Sequence, residues 1–159
     1  PLLYPLDRYS VKIFGNQPWG VNQYCGLIDD NDVKNLFVSA KICPNLSEPH
    51  AQVYGIDVTE RIFKILYAGG FCISDNVEAY KMFGDGIVIA DSPDDFRDKI
   101  EHYKNATDER SVYAQQGQKF VAENHTGFHR IATIMKELGY EDLSFGILKA
   151  YKDALNEQK

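Results

Sequence analysis

The chain has 159 residues, of which 44% are hydrophobic and 25% are charged, and its formal net charge is −6. This length suits one domain with a real core, and the composition is that of a globular protein rather than a disordered one. The negative charge argues against a nucleic-acid-binding surface, which needs a basic patch. No apolar run approaches a membrane span and no signal peptide is visible, so we expect a cytoplasmic protein.

Short apolar runs alternate with helical patterns up to residue 90, and the chain is helical after that point. The predicted strands are Val11–Phe14, Cys25–Ile28, Lys41–Cys43, Phe71–Ser74 and Ile87–Ala90. The predicted helices are Asn31–Ala40, Val58–Ala68, Val77–Phe83, Pro93–Lys104, Asp108–Glu123, Gly127–Leu138 and Asp142–Asn156. Strands without polar alternation are typical of a parallel sheet that is buried on both faces. The pattern predicts an α/β fold with a Rossmann-like parallel sheet, flanking helices and a helical C-terminal end.

The segment Asp57–Asp75 predicts a capped helix that ends on a double glycine and leads into a buried strand. Asp57 and Glu60 have the spacing of a capping box. Arg61 and Lys64 lie close to the helix N-terminus, where the helix dipole disfavours cations unless a negative group lies among them. A phosphate-bearing ligand is one explanation of these cations, and a local ion pair between Glu60 and Arg61 is the other.

Ligands of open parallel sheets bind at the carboxyl ends of the strands. The longest loop of the predicted fold, Asn45–Ile56, begins at such an end and is longer than a plain connection needs, which is typical of a functional loop. His50 lies in this loop, where it either contacts a substrate or is simply solvated. The acidic cluster that starts at Asp29 is interpreted as a helix N-terminus rather than a metal site.

Three cysteines lie in apolar runs, and we predict that Cys25, Cys43 and Cys72 are buried free thiols in a reducing compartment. No paired Cys or His ligands occur at zinc-site spacing, so no metal is expected. His125 and His129 lie four positions apart, but no third ligand lies nearby. For these two histidines we favour hydrogen bonds that hold the following helix against the sheet.

The last amphipathic helix is predicted to begin after an N-cap at Thr126. Its apolar side chains recur at helical spacing, which predicts that they belong to the core. These side chains are Phe128, Ile131, Met135 and Leu138.

Several stretches together resemble the C-terminal, donor-binding domain of GT-B-fold glycosyltransferases, most closely the spore-maturation (CgeB-like) group. The matching stretches are IFGNQPW, KICPNL, RIFKILYAGGFCISD, MFGDGIVIADSPDDF and DERSVYAQQGQKFVAENHT, with HR three residues on. The resemblance implies that residues 1–138 are a Rossmann-like nucleotide-sugar-binding domain that lacks its first strand and the N-terminal acceptor domain. Residues 139–159 are then a C-terminal helical tail.

The resemblance also implies where a nucleotide-sugar donor binds. In such enzymes the donor diphosphate lies at the N-terminus of the key helix, which implies that Arg61 and backbone groups around Thr59 and Glu60 contact it. The other implied donor-binding residues are Gly15, Asn16, Asn45, Tyr54 and Gly55. The expected donor is a UDP- or GDP-sugar, and the expected acceptor is an unknown glycan, protein or lipid. No metal or other cofactor is expected.

One residue departs from the family pattern. Many relatives carry a glutamate in R-x-F-E that holds the nucleotide ribose, and this chain has Lys64 there, which accepts no hydrogen bonds. Either Lys64 contacts phosphate, or nucleotide binding is altered or lost. The alternative function is therefore a non-catalytic Rossmann-like binding module. Because catalysis in this fold occurs between two domains, we expect this chain alone to bind a donor without turnover.

Overall fold

The computed structural model describes residues 8–157. Three strands alternate with helices, and the C-terminal part is helical. The strands are β1 (Cys43–Asn45), β2 (Cys72–Asp75) and β3 (Val88–Ala90). The helices are α1 (Asp30–Ser39), α2 (Pro49–Tyr54), α3 (Glu60–Ala68), α4 (Pro93–Tyr103), α5 (Thr107–Asn124), α6 (Gly127–Glu137) and α7 (Glu141–Asn156), with a 3-10 segment at Glu78–Gly86.

The three strands form one parallel sheet in the order β1-β2-β3. The register places Cys43 beside Cys72, and Ile73 beside Val88. A buried cluster packs strand side chains against α4 and the residues before β2. Its members are Phe71, Ile73, Val88, Ala90, Phe96, Ile100 and Tyr103. The parallel sheet with flanking helices confirms the predicted α/β, Rossmann-like class.

The chain divides into two compact units, of which the first ends at Gln118 and the second begins at Lys119. The first unit contains the sheet. In the second unit α6 and α7 pack along each other, the Phe128 ring stacks on Tyr151, and the Tyr151 hydroxyl donates to the carbonyl of Ala122 at 2.7 Å. The expected division at residue 138 stays a prediction.

Helix α3 is amphipathic, and its apolar face packs against the sheet and α5. Its buried face consists of Ile62, Ile65, Leu66 and Ala68. Gly69 ends the helix in the left-handed conformation, at φ 88°. Its N–H donates hydrogen bonds to backbone carbonyls in the last turn of the helix. A Cβ on Gly117 in α5 would lie 2.7 Å from the backbone oxygen of Gly86, as well as 2.8 Å from Leu66 Cδ2, so glycine is required for this close approach. These contacts hold the start of α3 at the carboxyl edge of the sheet.

Two of the predicted strands are wrong. Neither Val11–Phe14 nor Cys25–Ile28 forms a strand of the sheet, and a single parallel bridge joins Ile13 to Tyr24 in this region. The connecting segment is rich in glycine, proline and polar residues, and Ile13 exchanges two backbone hydrogen bonds with the neighbours of Tyr24. The pairing is short and partly exposed, and it does not extend into a ladder.

Two predictions in the connections also need correction. The predicted α-helix Val77–Phe83 is the 3-10 segment, which breaks at Gly84, where φ is 48°. The loop predicted over Asn45–Ile56 contains α2, which starts on a proline and ends at Gly55 with φ 70°. The polar composition of this segment favoured a loop in the prediction, although Pro49 and Gly55 mark the start and the end of the helix.

The apolar stripe of α6 is not core, contrary to the prediction. Phe128, Ile131 and Leu138 are each about half exposed or more. Only Ala132 of this helix is buried. Thr126 is the N-cap as predicted, and its hydroxyl and N–H lie at 2.8 and 3.3 Å from His129 Nδ1. His129 therefore closes the N-terminus of α6, and the expectation that the two histidines hold this helix against the sheet stays a prediction.

Within residues 8–157, no helix combines the length and the apolar character that crossing a membrane requires.

Candidate functional site

The side chain of Asn45, the last residue of β1, lies at the centre of a polar network. It is fully buried. Its amide nitrogen donates to Ser74 Oγ at 3.0 Å. Its carbonyl oxygen accepts from Thr59 Oγ1 at 3.0 Å and from Arg61 Nε at 3.2 Å. Asn45 thereby joins the ends of two neighbouring strands to the first turn of α3.

Among the residues that the structure describes, Arg61 is held by neutral acceptors alone. Besides its bond to Asn45, Nη2 donates to the carbonyl of Leu46 at 3.3 Å. No carboxylate in residues 8–157 forms an ion pair with this guanidinium. Glu60 pairs instead with Lys64, Oε1 to Nζ at 3.1 Å. The predicted alternative, a Glu60–Arg61 pair, is therefore wrong, and the charge of Arg61 is oriented without being neutralised.

The N-terminus of α3 has no side-chain cap. Thr59 is the N-cap residue, but its hydroxyl donates to Asn45 and accepts no backbone N–H. The predicted capping box of Asp57 and Glu60 is also wrong, because α3 starts at Glu60 and Asp57 lies 3.0 Å from His50 Nε2. First-turn N–H groups and a fixed guanidinium together form an arrangement that suits an anion.

A second part of the network surrounds Asp75, the last residue of β2, which is buried. Its carboxylate accepts from the N–H and hydroxyl of Ser47, at 3.0 and 2.8 Å, and from Gln52 Nε2 at 2.8 Å. The Ser47 hydroxyl also lies 2.8 Å from the Tyr80 hydroxyl. Asp75 therefore fixes the segment that runs from β1 into α2.

Sequence reasoning missed the roles of Asp75, Ser47 and Gln52. Asp75 was visible only as a polar residue at a predicted strand end. Its partners Ser47 and Gln52 lie 28 and 23 positions away, so no local motif joins them. The one available signal was that both segments reach the same edge of a parallel sheet.

Tyr54 and Gly55 lie at the end of α2, in the segment that the Asp75 network fixes. The Gly55 carbonyl accepts from the N–H of Ala79 at 2.8 Å, which anchors this turn to the 3-10 segment. Tyr54 is 72% exposed. The structure thus provides a rigid turn with an exposed phenol ring.

The structure does not join Gly15 and Asn16 to the Asn45 network. Gly15 is bonded to Gly26 and accepts from the Tyr24 hydroxyl at 2.8 Å. Asn16 is exposed in the same irregular segment. Of the predicted site residues, the structure brings together Asn45, Thr59 and Arg61, while Glu60 and Lys64 pair with each other on the exposed side of α3.

The cysteines differ in exposure. Cys43 and Cys72 are buried free thiols as predicted, whereas Cys25 is exposed, so that part of the prediction is wrong. Burial raises the pKa of Cys43 to about 12, and burial, followed by the proximity of Cys43, raises the pKa of Cys72. These shifts disfavour the thiolate forms of both side chains at neutral pH.

Over residues 8–157, no three His, Cys, Asp or Glu side chains are grouped in a way that holds a metal ion. Asp29 caps α1 by accepting from the Asn31 N–H at 2.9 Å, which confirms the interpretation of the acidic cluster as a helix N-terminus.

Comparison with known proteins identifies the family. The sequence model of a family described as glycosyl transferase-like matches residues 1–136. No curated protein and no solved structure matches the chain. The matched range contains all three strands and the arrangement of Asn45, Thr59 and Arg61. Because the match covers well over half of the 159 residues, the chain belongs to the glycosyl transferase-like family.

Proposed function

We propose that this chain is the donor-binding domain of a glycosyltransferase that moves a sugar from a nucleoside diphosphate to an acceptor. The observation that carries the proposal is the state of Arg61, a cation that neutral groups orient and no described carboxylate neutralises. A cation held in this way beside an uncapped helix N-terminus suits a diphosphate. The family supports a sugar donor and an acceptor in general. The diphosphate and its position are our proposal.

The mechanism we propose is electrostatic. As the bond between the sugar and the diphosphate breaks, its electron pair goes to the departing phosphate oxygen. The fixed guanidinium of Arg61 and the N–H groups that begin at Glu60 then stabilise the new negative charge. Fixed donors of this kind need no metal, so we propose a metal-independent reaction.

The remaining expectations are part of the same proposal. Tyr54 and Gly55 approach the sugar or the phosphates, and Gly15 and Asn16 line the donor cleft. The donor base is uracil or guanine, and the chain is a member of the spore-maturation group. A second Rossmann-like domain supplies the acceptor site, so this chain alone binds a donor without turnover. The protein acts in the cytoplasm on a glycan, protein or lipid acceptor.

One observation favours the alternative, a non-catalytic binding module that keeps the fold. Lys64 occupies the position at which the resemblance implies a ribose-binding glutamate, and its ammonium group is paired with Glu60. An ammonium group offers no acceptor to ribose hydroxyls. In this alternative the site still binds phosphate groups but no longer binds the nucleoside.

Calorimetric titration with UDP, GDP and their monophosphates tests the proposal. We expect one diphosphate to bind and its monophosphate to bind at least about tenfold more weakly, because the distal phosphate makes a charge-assisted contact. Lys64→Glu is measured alongside. Binding by this variant but not by the native chain supports the alternative module. If neither protein binds either diphosphate, the proposal that this domain binds the donor is wrong.

A further inference from the structure

A cavity of about 230 Å³ lies at the amino edge of the sheet. Its walls come from the turn between α1 and β1, from Gly69 and Phe71 before β2, and from the first two turns of α5. The candidate donor site lies at the opposite edge, where Asn45 ends β1. All residues that line the cavity precede Lys119, so its walls belong to the first compact unit alone.

Two basic side chains, Lys41 and Arg110, line this cavity. Within residues 8–157, neither forms an ion pair with a carboxylate. Arg110 is bonded to neutral acceptors: Nη1 donates to the carbonyl of Tyr103, and Nη2 donates to the Thr107 hydroxyl at 3.3 Å. A guanidinium has five N–H groups, so others remain available to a ligand. None of the lining residues is acidic, so the cavity concentrates positive charge in a chain whose net charge is −6.

Each cation alone has a structural explanation. Arg110 contacts the carbonyl of the last residue of α4, Lys41 lies shortly after the end of α1, and cations are favoured at helix C-termini. That explanation does not account for their convergence on one cavity, which the hydroxyl-bearing residues Ser39 and Ser111 also line. A phosphate group has three strong acceptor oxygens, so donors from the α1 side and the α5 side can contact it together. A planar carboxylate suits a single guanidinium better than donors on two walls.

Other lining residues are apolar, and the volume of the cavity limits the size of the ligand. Val38, Phe71 and Ala114 contribute apolar walls, and Val38 is 56% exposed. The volume of about 230 Å³ lies below the roughly 300–1,000 Å³ of pockets that hold drug-sized ligands. The cavity therefore suits a phosphate with a small organic group and is too small for a nucleotide sugar.

We propose that this cavity binds a small organic phosphate, whose phosphate group contacts Lys41 and Arg110 and whose organic group packs on the apolar wall. The proposal gives the protein a second ligand site, at the edge of the sheet opposite the proposed donor site. It uses neither Arg61 nor the start of α3. Its success or failure is therefore independent of the proposed donor binding.

Titration of the ¹⁵N-labelled full chain with phenyl phosphate, followed by NMR, tests the site. We expect saturable shifts of the backbone N–H signals of Lys41 and Ser111 and of the Arg110 Nε–H signal. Inorganic phosphate should shift the same signals with at least about threefold weaker affinity, because it has no apolar group to bury. Phenol, which carries the ring without the charge, should leave them in place. The shifts should persist in Arg61→Ala, which separates this cavity from any phosphate bound at α3.

A matched pair of lysine variants separates a contact in the cavity from the effect of net charge. Lys41→Gln should raise the Kd for phenyl phosphate at least about fivefold, because it removes a charge-assisted contact. Lys34→Gln makes the same charge change at an exposed position of α1 that does not line the cavity. This control should change the Kd by less than about twofold, because salt screens a distant exposed charge.

A third variant adds a negative charge inside the cavity. Ser111 is exposed, and in Ser111→Glu a carboxylate competes with the ligand for both cations, so the affinity should fall at least about tenfold. Four results overturn the proposal: no shifts at Lys41 and Ser111 with millimolar phenyl phosphate, equal affinity for inorganic phosphate, equal losses in the two lysine variants, or unchanged affinity in Ser111→Glu.

Discussion

Helices α3 and α4 both begin at the carboxyl edge of the sheet, but their first turns are built differently. In α4 the Ser92 hydroxyl accepts from the N–H of Asp95 at 3.1 Å, and the Asp95 carboxylate accepts from the N–H of Asp91 at 2.8 Å. In α3 the N-cap hydroxyl of Thr59 donates away from the helix, to Asn45. The N-terminus of α4 is therefore closed by its own side chains, and that of α3 is open.

The cations of the two helices differ in the same way. In α4, Arg97 pairs with Asp94, and Lys99 pairs with Asp95. In α3, Arg61 is bonded to an amide and a backbone carbonyl. Neutralised charges on an exposed helix contribute solubility and little stability. At α3, by contrast, neutral groups orient the cation and no described carboxylate pairs with it, and our proposal of a ligand site rests on this difference between the two helix starts.

Removing Asp75 is expected to have the largest effect. Asp75→Ala leaves Ser47 and Gln52 without their buried acceptor, so the free energy of unfolding should fall by about 3 kcal/mol. Asp94→Ala, on the exposed turn of α4, should lower it by less than about 0.5 kcal/mol. Urea unfolding of both variants measures this. Equal effects would contradict the structural role of the buried carboxylate.

Arg61→Ala should come next. Loss of a charge-assisted contact is worth roughly 1.5–3 kcal/mol, so the affinity for the nucleoside diphosphate should fall about 10- to 100-fold. Arg97→Ala removes a cation of the same kind from α4 and should leave the affinity unchanged. Calorimetry on both variants separates the specific contact from a general loss of positive charge. A similar loss in both would show that only net charge matters.

The two N-cap residues should show opposite effects. Ser92→Ala removes a true cap and should lower the free energy of unfolding by about 1 kcal/mol, without a change in nucleotide affinity. Thr59→Ala removes a bond that helps to position Asn45 and Arg61, so it should lower the affinity by several-fold. Its effect on stability should be the smaller of the two. Thermal unfolding and calorimetry on the same samples measure both quantities, and a loss of affinity in Ser92→Ala would contradict the comparison.

The smallest effect concerns the pH dependence of α4. The hydrogen bond from Lys99, followed by that from the N–H of Asp91, lowers the pKa of Asp95. A depressed folded-state pKa stabilises the protein above the unfolded-state pKa, and this contribution is lost as the pH falls through the folded-state pKa. Asp95→Asn should therefore be less stable than the native chain at pH 7, and the difference should shrink below about pH 4. A constant difference at all pH values would exclude this cause.

Local patterns predicted the parts of the fold that depend on neighbouring residues. The apolar spacing of α3, its glycine stop and the position of Arg61 near its start all follow from a short stretch of sequence. The same holds for α1, with its cap at Asp29. The helix α2 also had local signals, Pro49 and Gly55, but its polar composition favoured a loop.

Contacts between distant segments were not predictable. The pairing within α3 is different: Glu60 and Lys64 lie four positions apart and face each other on the helix, whereas Glu60 and Arg61 are adjacent and do not, so helical spacing favours the observed pair. The bonds of Asp75 span more than twenty positions. The stripe around Ile131 has the periodicity of a core helix, and periodicity does not distinguish a face that is buried within the chain from one that is exposed.

The most direct test of the account is to locate the bound nucleotide on the ¹⁵N-labelled chain by NMR. Addition of UDP or GDP should shift the backbone N–H signals of Glu60, Arg61 and Ile62 and the Arg61 Nε–H signal most strongly. The N–H signals at the start of α4 should stay in place. Shifts at the start of α4 without shifts in α3, or shifts at neither helix, would contradict the claim that the open N-terminus of α3 binds the diphosphate.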